Sequence, residues 1–469
     1  MFSSLSDCIY MFYGFIRREG RAEGFLARRK LGGCGNSSIG LPLSMCVDES
    51  SNGEGMKQVR GIKRKLAQPD RRRRVLAIVG DTQVGLWVVR SLARNGLETH
   101  AITNTVNGQS AHSRYSASSW LLDHKPDQDG FDEEILELAR RLDVGSIMPV
   151  SEGFHNRLIS MRDRLEAEGI HLFSPSRECF DKATDKDYVH DLCLKLGIPA
   201  ARGMRLDELM ESGPESTLEF PLVIRTRKQN VSDGKVPLKA AYARNLDELM
   251  KWYRQFESFA YNVLVQEYHP GAEEHVQILM HDGEMFMTGD YIGEHHMPLA
   301  GGVTVQRISC HHQPVIDDTV KLLKALNWQG IAGVQYHYDP ATGKYIFLEV
   351  NPRFSGGLPT VVRAGFEAPF NLWQTHFEPE KMQKTGYKLG LRSRILGGDA
   401  NWFLGQMRRD ELPPGQTHLG RIRAALTILW HSGPWTKDDS LLLSDPKPFY
   451  VDFKQMLKKL GARSHEIVN

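Results

Sequence analysis

Continuous apolar runs alternate with helical stripes through the first third of the folded region. Val75-Leu76-Ala77-Ile78-Val79-Gly80 reads as a parallel strand buried on both faces. Gly80-Asp81-Thr82-Gln83-Val84-Gly85 then turns into a helix carrying Leu86, Val89 and Ala93, which Asn95-Gly96 ends. Leu97–Ile102 is the next strand. Phe131, Ile135, Leu138 and Leu142 form a helical stripe with acids in its first turn, followed by strand Ser146–Val150. This rhythm predicts an α/β layer. Further on, the pattern changes to strands and hairpins: Pro221–Arg225, Val263–Tyr268, and Gln277–Met280 joined to Met285–Thr288 through His281–Glu284. An amphipathic helix over Asp317–Asn327 leads to Gly333–Tyr338 and Tyr345–Val350, separated by the turn residues Asp339–Gly343. Helices are expected near Arg421–Trp430 and Phe453–Leu460. The fold class is α/β followed by α+β.

The last hairpin ends unusually. Strand alternation sets Glu349 and Asn351 on one face with Val350 opposite, and a carboxylate beside an amide oxygen suits Mg²⁺. Pairing Asp339 with Tyr345 puts Gln335 across from Glu349, and a one-residue slip would undo that pairing. An isolated Glu-x-Asn is more often an edge charge followed by a turn. Arg353, Gly356-Gly357 and the cross-strand Gln335 shift the reading toward a site.

With 469 residues, the chain has room for two or three domains. Its net charge of +2 conceals an asymmetry, because residues 1–74 hold 15 Lys and Arg against 7 Asp and Glu, leaving 44 against 50 elsewhere. The mildly acidic remainder gives no reason to expect nucleic-acid binding. Ile9–Ile16 is too short to span a bilayer, and Arg17 and Arg18 follow it where a secretory signal would place charge first. Residues 1–74 read as a disordered basic tail, with Met56 as an alternative start; a basic arm for nucleic acid or membrane is the functional reading. Six cysteines without CxxC spacing argue against zinc and a disulfide framework and fit a reducing cytosol.

Other candidates carry weaker signals. Asp81, Thr82, Ser151 and Glu152 lie at strand ends, where open α/β sheets bind ligands, and each is equally a helix cap. The loop at Gly80 is Gly-x4-Gly, short of a dinucleotide fingerprint. His295-His296 and His311-His312 suggest metal, but adjacent strand residues face opposite ways and neither pair chelates one ion easily. Trp402, Trp430 and Trp435 are expected to pack.

Glu349-Val350-Asn351-Pro352-Arg353 followed by Gly356-Gly357 resembles the metal-binding signature of the ATP-grasp superfamily, in its carboxylate–amine ligase and carbamoyl-phosphate synthetase branches. The resemblance covers roughly residues 75–380. It implies a Rossmann-like pre-ATP-grasp domain over 75–175, a two-lobed ATP-grasp domain over 176–380 and a C-terminal extension over 381–469. Within it, Gln335, Glu349 and Asn351 would hold Mg²⁺ or Mn²⁺, Lys186 and Arg225 the α- and β-phosphates of ATP, and Arg353 the γ-phosphoryl group. Arg227 is a near alternative to Arg225. Gln266, Glu267 and Tyr268 would line the adenine, with hinge peptide groups free to read the base, and Glu274 would meet the ribose. Gly301-Gly302-Val303 and Arg307 fall where related ligases contact acceptor or phosphate. The flap at Lys228–Lys235 departs from the family by holding a single glycine. The implied activity is ATP-dependent ligation through an acyl phosphate, releasing ADP and phosphate. Its partners would be small-molecule carboxylate and amine substrates, with no nucleic acid and no membrane, in the cytoplasm, with a homodimer among the expectations. A catalytically degenerate ATP-binding regulator is the alternative, and a nicotinamide-dependent enzyme ranks third.

Overall fold

Three β-sheets carry the described residues of the computed structural model, which are 56–61, 70–213, 218–226 and 241–466. The first sheet contains β1 (Lys57–Gly61), β2 (Arg74–Ile78), β3 (Glu98–Ile102), β4 (Ser118–Leu121), β5 (Ser146–Pro149) and β6 (His171–Leu172), in the order β1-β4-β3-β2-β5-β6. All its pairings are parallel except β1 with β4. Strand β2 shows why its sequence is apolar throughout. Val75 and Ala77 enter one core with the helix Gln83–Arg94, while Leu76 and Ile78 enter another with Phe131–Arg141. The strand order reverses between β2 and β5, which makes a crevice at their carboxyl ends.

The second sheet is antiparallel: β7 (Gly203–Arg205), β8 (Leu222–Thr226), β9 (Ala241–Ala243) and β10 (Val263–Glu267), ordered β7-β10-β8-β9. The third holds β11 (Ala272–His281), β12 (Glu284–Met297), β13 (Val303–Cys310), β14 (Gly330–Tyr338), β15 (Tyr345–Asn351), β16 (Arg392–Arg394) and β17 (Thr436–Asp438), ordered β15-β14-β11-β12-β13-β16-β17. On β11, Val276, Ile278 and Met280 pack with the helix Gln313–Ala325 on one face. Leu279 joins the opposite core, shared with helix Gln83–Arg94 of the first sheet.

Three expectations need correction. The basic tail is not wholly unstructured, because Lys57–Gly61 pairs with β4, and Asp70–Arg74 lead into β2. Arg73 donates to Glu378 at 3.1 Å and lies over the Trp373 ring, which turns a run of four arginines from a charged arm into a packing element.

The last hairpin reaches the expected pairing by an unexpected route. Gln335 faces Glu349, but Tyr338 rather than Asp339 pairs with Tyr345, and a bulge at Leu348 restores the register. Asp339 N–H instead donates to Lys344 O at 2.8 Å, closing the turn.

Residues after 381 are woven into the rest. β16 and β17 extend the third sheet, Trp87 Nε1–H donates to Asp439 O at 2.6 Å, and buried Arg90 pairs with Asp445 at 3.0 Å. Trp402 packs as expected, stacked 3.5 Å from the His295 ring, whereas Trp430 and Trp435 are exposed.

Candidate active site

Three stretches far apart in sequence converge on Glu349. Lys186 opens the helix Lys186–Leu196, whose N-cap Asp185 accepts from the N–H groups of Asp187 and Tyr188 at 3.1 Å. That cap fixes the first turn, and Lys186 Nζ reaches Glu349 Oε2 at 3.4 Å around the edge strand β15. From β8, Arg225 donates through Nη2 to Gln266 Oε1 on β10 and to Leu348 O at 3.5 Å, so one guanidinium links the second sheet to the third. Arg225 and Gln266 share a face because Leu264, two residues before Gln266, is the direct partner of Arg225. Asn351 Nδ2 donates to Glu349 Oε1 at 3.2 Å.

Electrostatics follow this crowding. Burial would push the Glu349 carboxyl up, but Lys186, Arg225, Asn351 and Arg353 outweigh it and hold it below the usual carboxylate range. Burial lowers Lys186 and Arg225 from their ordinary values, with Glu349 opposing in both cases. Three cations, Lys186, Arg225 and Arg353, surround one carboxylate, a surplus of positive charge suited to a polyanion. Beside Lys186 lies a cleft of ≈ 320 Å³ lined by His190, Gly203, Met204 and Leu264 among others.

The turn after Asn351 is held from beneath. Buried Gln277 accepts from Ser355 N–H at 2.6 Å and donates to Ala332 O at 2.8 Å. The Tyr291 hydroxyl accepts from Gly357 N–H at 2.9 Å, and Arg307 donates to Gly356 O at 3.4 Å. Arg307 is fully buried and also bound to Thr360, Thr304 O and Asp439, so it braces this loop and is not a free cation.

Residues 260–395 match a family model described as "ATP-grasp in the biosynthetic pathway with Ter operon". The fold also matches the biotin carboxylase domain of 2-oxoglutarate carboxylase from Hydrogenobacter thermophilus, with a TM-score of 0.54 and 16% identity over 68% of this chain and 73% of that one. N5-carboxyaminoimidazole ribonucleotide synthetase in its ADP complex gives 0.53 and 17%, over 76% of this chain and 97% of the other. Residues 260–395 are thus similar to the ATP-grasp family, on a fold shared with these two enzymes. In sequence, the chain is 26% identical over 246 residues to the carbamoyl phosphate synthase large chain of Clostridium acetobutylicum, covering 50% of this chain and 22% of that one. The arginine-specific large chain of Bacillus subtilis is 25% identical over 213 residues, covering 43% and 20%. The chain thus spans about a fifth of the length of these two relatives.

On this ATP-grasp fold the expected site residues divide. Lys186, Arg225, Gln266, Gln335, Glu349 and Asn351 come together. Arg353 lies at the same end, with Nη1 donating to Phe354 O at 3.1 Å. Glu267 does not join them: it points to the opposite face of β10 from Gln266 and pairs with Arg202. The hinge peptide groups are also not free, since Glu267 N–H donates to Arg202 O and Tyr268 N–H to Pro221 O, both at 2.9 Å. β10 is an inner strand between β7 and β8, which the sequence did not reveal. The Tyr268 ring packs edge-on to Tyr242, 5.3 Å between centroids.

Glu274 also departs. It is fully buried on the face of β11 that carries Val276 and Ile278, away from Glu349. Its neighbour Glu273 lies on the site's face, because His275 is the direct partner of Gln335 and alternation carries Glu273 and Gln277 to the same side. Glu273 accepts from Thr304 at 3.2 Å and lies 3.4 Å from His275 and 3.3 Å from His296. Those two imidazoles overcome the upward push of burial and hold its carboxyl well below the usual range. The signal was present in the sequence: Glu273, His275 and Gln277 alternate with Val276, Ile278 and Met280.

At the first sheet, Thr82 caps its helix by accepting from Gly85 N–H at 3.1 Å. Asp81 closes the β3 loop by accepting from Thr105 Oγ1 at 2.7 Å. Ser151 makes no cap hydrogen bond, and Glu152 lies in the field of Lys186. Arg227 and the Lys228–Lys235 flap lie outside the described residues. Among the described residues, no helix is long and apolar enough to cross a membrane.

Proposed function

We propose that the chain is an ATP-dependent ligase that activates a carboxylate as an acyl phosphate and joins it to an amine. The observation that carries this reading is the convergence of Lys186 and Arg225 from separate segments on the Glu349 carboxylate. In this reading residues 75–175 form the pre-ATP-grasp domain, and residues 176–380 supply the two lobes that clasp the nucleotide. The ADP complexes among similar folds support the same assignment.

The donor set fits Mg²⁺. Glu349 supplies a carboxylate, and Asn351, with Nδ2 on Glu349, keeps its amide oxygen as an acceptor. Gln335, paired across from Glu349, brings a second amide. Bound there, the ion would neutralise phosphate charge. Lys186 and Arg225 neutralise the α- and β-phosphates, and Arg353 the transferring phosphoryl group. Gln266 orients Arg225 through its side-chain oxygen. The carboxylate oxygen attacks the γ-phosphorus as the bond to ADP breaks. The amine nitrogen then attacks the acyl carbon, phosphate leaves with the bonding pair, and the amine gives up a proton. No protein nucleophile is required; positioning and charge neutralisation account for the rate.

The test is ADP release measured across amino acids, small peptides and hydroxy acids. Acceptor-dependent ADP release with equimolar phosphate supports the ligase. Saturable MgATP binding without release for any acceptor contradicts it and favours a regulatory ATP-binding protein.

A further inference from the structure

On the face of the third sheet turned away from Glu349 lies a second cluster of chemistry-bearing side chains. Glu274, Cys310 and His312 each offer one donor atom, and these atoms all lie within 4.8 Å of one another. His312 Nδ1 is 3.0 Å from Glu274 Oε2, and Cys310 Sγ is 3.9 Å from Glu274 Oε1. Asp290 is not within that group of three but borders it on the same face: it is the direct cross-strand partner of Cys310 and also of Val276, two residues along β11 from Glu274. Direct partners share a face, so the Asp290 carboxylate stands beside the thiol and diagonal to Glu274.

Asp290 is fully buried, and neither of its oxygens has a hydrogen-bonding donor in good geometry; its polar neighbours include the Thr288 hydroxyl, which lowers its pKa less than burial raises it, and His311, whose Nδ1 comes no closer than 3.5 Å. A buried carboxylate without a partner is costly, and a second one next to it more so. We infer that Glu274, Asp290, Cys310 and His312 form a zinc site that ties β11, β12 and β13 to the start of the helix Gln313–Ala325. A thiolate, an imidazole and two carboxylates select Zn²⁺ over Mg²⁺ or Ca²⁺, which take oxygen donors alone.

Local structure supports the assignment. β13 ends at Cys310, so strand alternation no longer separates His311 from His312, and both reach the acids from the strand end. The two histidines meet different carboxylates, His311 Asp290 and His312 Glu274, and only His312 belongs to the group of three. The His312 ring stacks on Tyr338 with centroids 4.1 Å apart, which fixes the imidazole plane. His311 is exposed and leaves a route for an ion to enter.

The site is tested with the full chain stripped of metal by a chelator and titrated with Co²⁺ and then Zn²⁺. The expected result is one equivalent bound, with tetrahedral cobalt absorption and a sulfur-to-cobalt charge-transfer band, both displaced by Zn²⁺. Cys310→Ser should abolish that band, and His312→Gln should weaken Zn²⁺ at least about 100-fold, beyond the loss of an outer-shell partner. Glu349→Gln should keep the full spectrum, which separates this site from the Mg²⁺ ligands. As a check independent of variants, Zn²⁺ should protect Cys310, but not Cys179, from alkylation as mapped by mass spectrometry. Absence of stoichiometric binding, a spectrum unchanged in Cys310→Ser, or unprotected Cys310 would each overturn the assignment.

Discussion

Lys186 Nζ stands 3.4 Å from Glu349 Oε2, although the two residues belong to different elements on either side of the second sheet in the chain. Both side chains are about a quarter exposed, so the pair is neither a dispensable surface bridge nor a sealed core pair. Such an arrangement holds a cation and an anion ready to exchange each other for a phosphate and a metal ion.

Gln266 and Glu267 separate the two faces of β10. Gln266→Ala should raise the KM for ATP about tenfold by releasing Arg225, whereas Glu267→Gln should change it by less than about twofold. Steady-state ADP release measures both. Equal effects would mean that the cleft is not on the Gln266 face.

Arg225 reaches Gln266 and Leu348 O through the single nitrogen Nη2, held in a fixed direction by a planar guanidinium that an ammonium on a flexible stem does not reproduce. Arg225→Lys should keep the fold and the charge yet lose about tenfold in kcat/KM. Wild-type kinetics in that variant would show that the charge alone matters.

Gly357 has φ −88°, so its backbone suits any residue, but an added Cβ would lie 2.2 Å from the Tyr291 ring. Gly357→Ala should cost about 1–3 kcal/mol by denaturant unfolding through overpacking alone. In a Tyr291→Ala background that extra cost should vanish. A cost that persists there would place the strain in the backbone.

Burial, with the positive field of Arg353, pushes the His155 imidazole down to about 3 from its ordinary 6.5. Between these values the unfolded chain binds more protons than the folded one, so stability rises with pH across the window and falls on acidification. The slope from this residue is about 1.4 kcal/mol per pH unit. His171, lowered to about 3 by burial in the same way, adds to it, so unfolding followed from pH 4 to 7 should show a slope in His155→Gln smaller than that of wild type by the His155 contribution. An unchanged slope would assign the acid sensitivity to other groups.

The sequence carried much of this architecture because periodicity reports burial directly. The run at Val75–Ile78 and the stripe through Phe131 and Leu138 mark elements whose apolar faces have one destination. The Gln335–Glu349 pair was legible from turn chemistry, although a bulge that no residue type announces supplied its register. What escaped depends on neighbours distant in sequence. That Glu267 turns to Arg202 follows from β10 being an inner strand, and that Arg307 is a brace follows from Asp439 arriving on β17's heels. Glu274 lies on the core face of β11 and Glu273 on the face that carries Gln335's partner His275. Two adjacent glutamates are distinguished only by which alternates with Val276 and Ile278.

Equilibrium titration of ATP into wild-type and Glu349→Gln protein, with and without Mg²⁺, tests the account most directly. It predicts saturable, Mg²⁺-dependent binding to wild type. In the folded variant, the Mg²⁺-dependent part should be lost, with the fall in ADP release reaching about 10²–10³-fold. Binding with the same Mg²⁺ dependence in Glu349→Gln, or no binding to wild type, would contradict it.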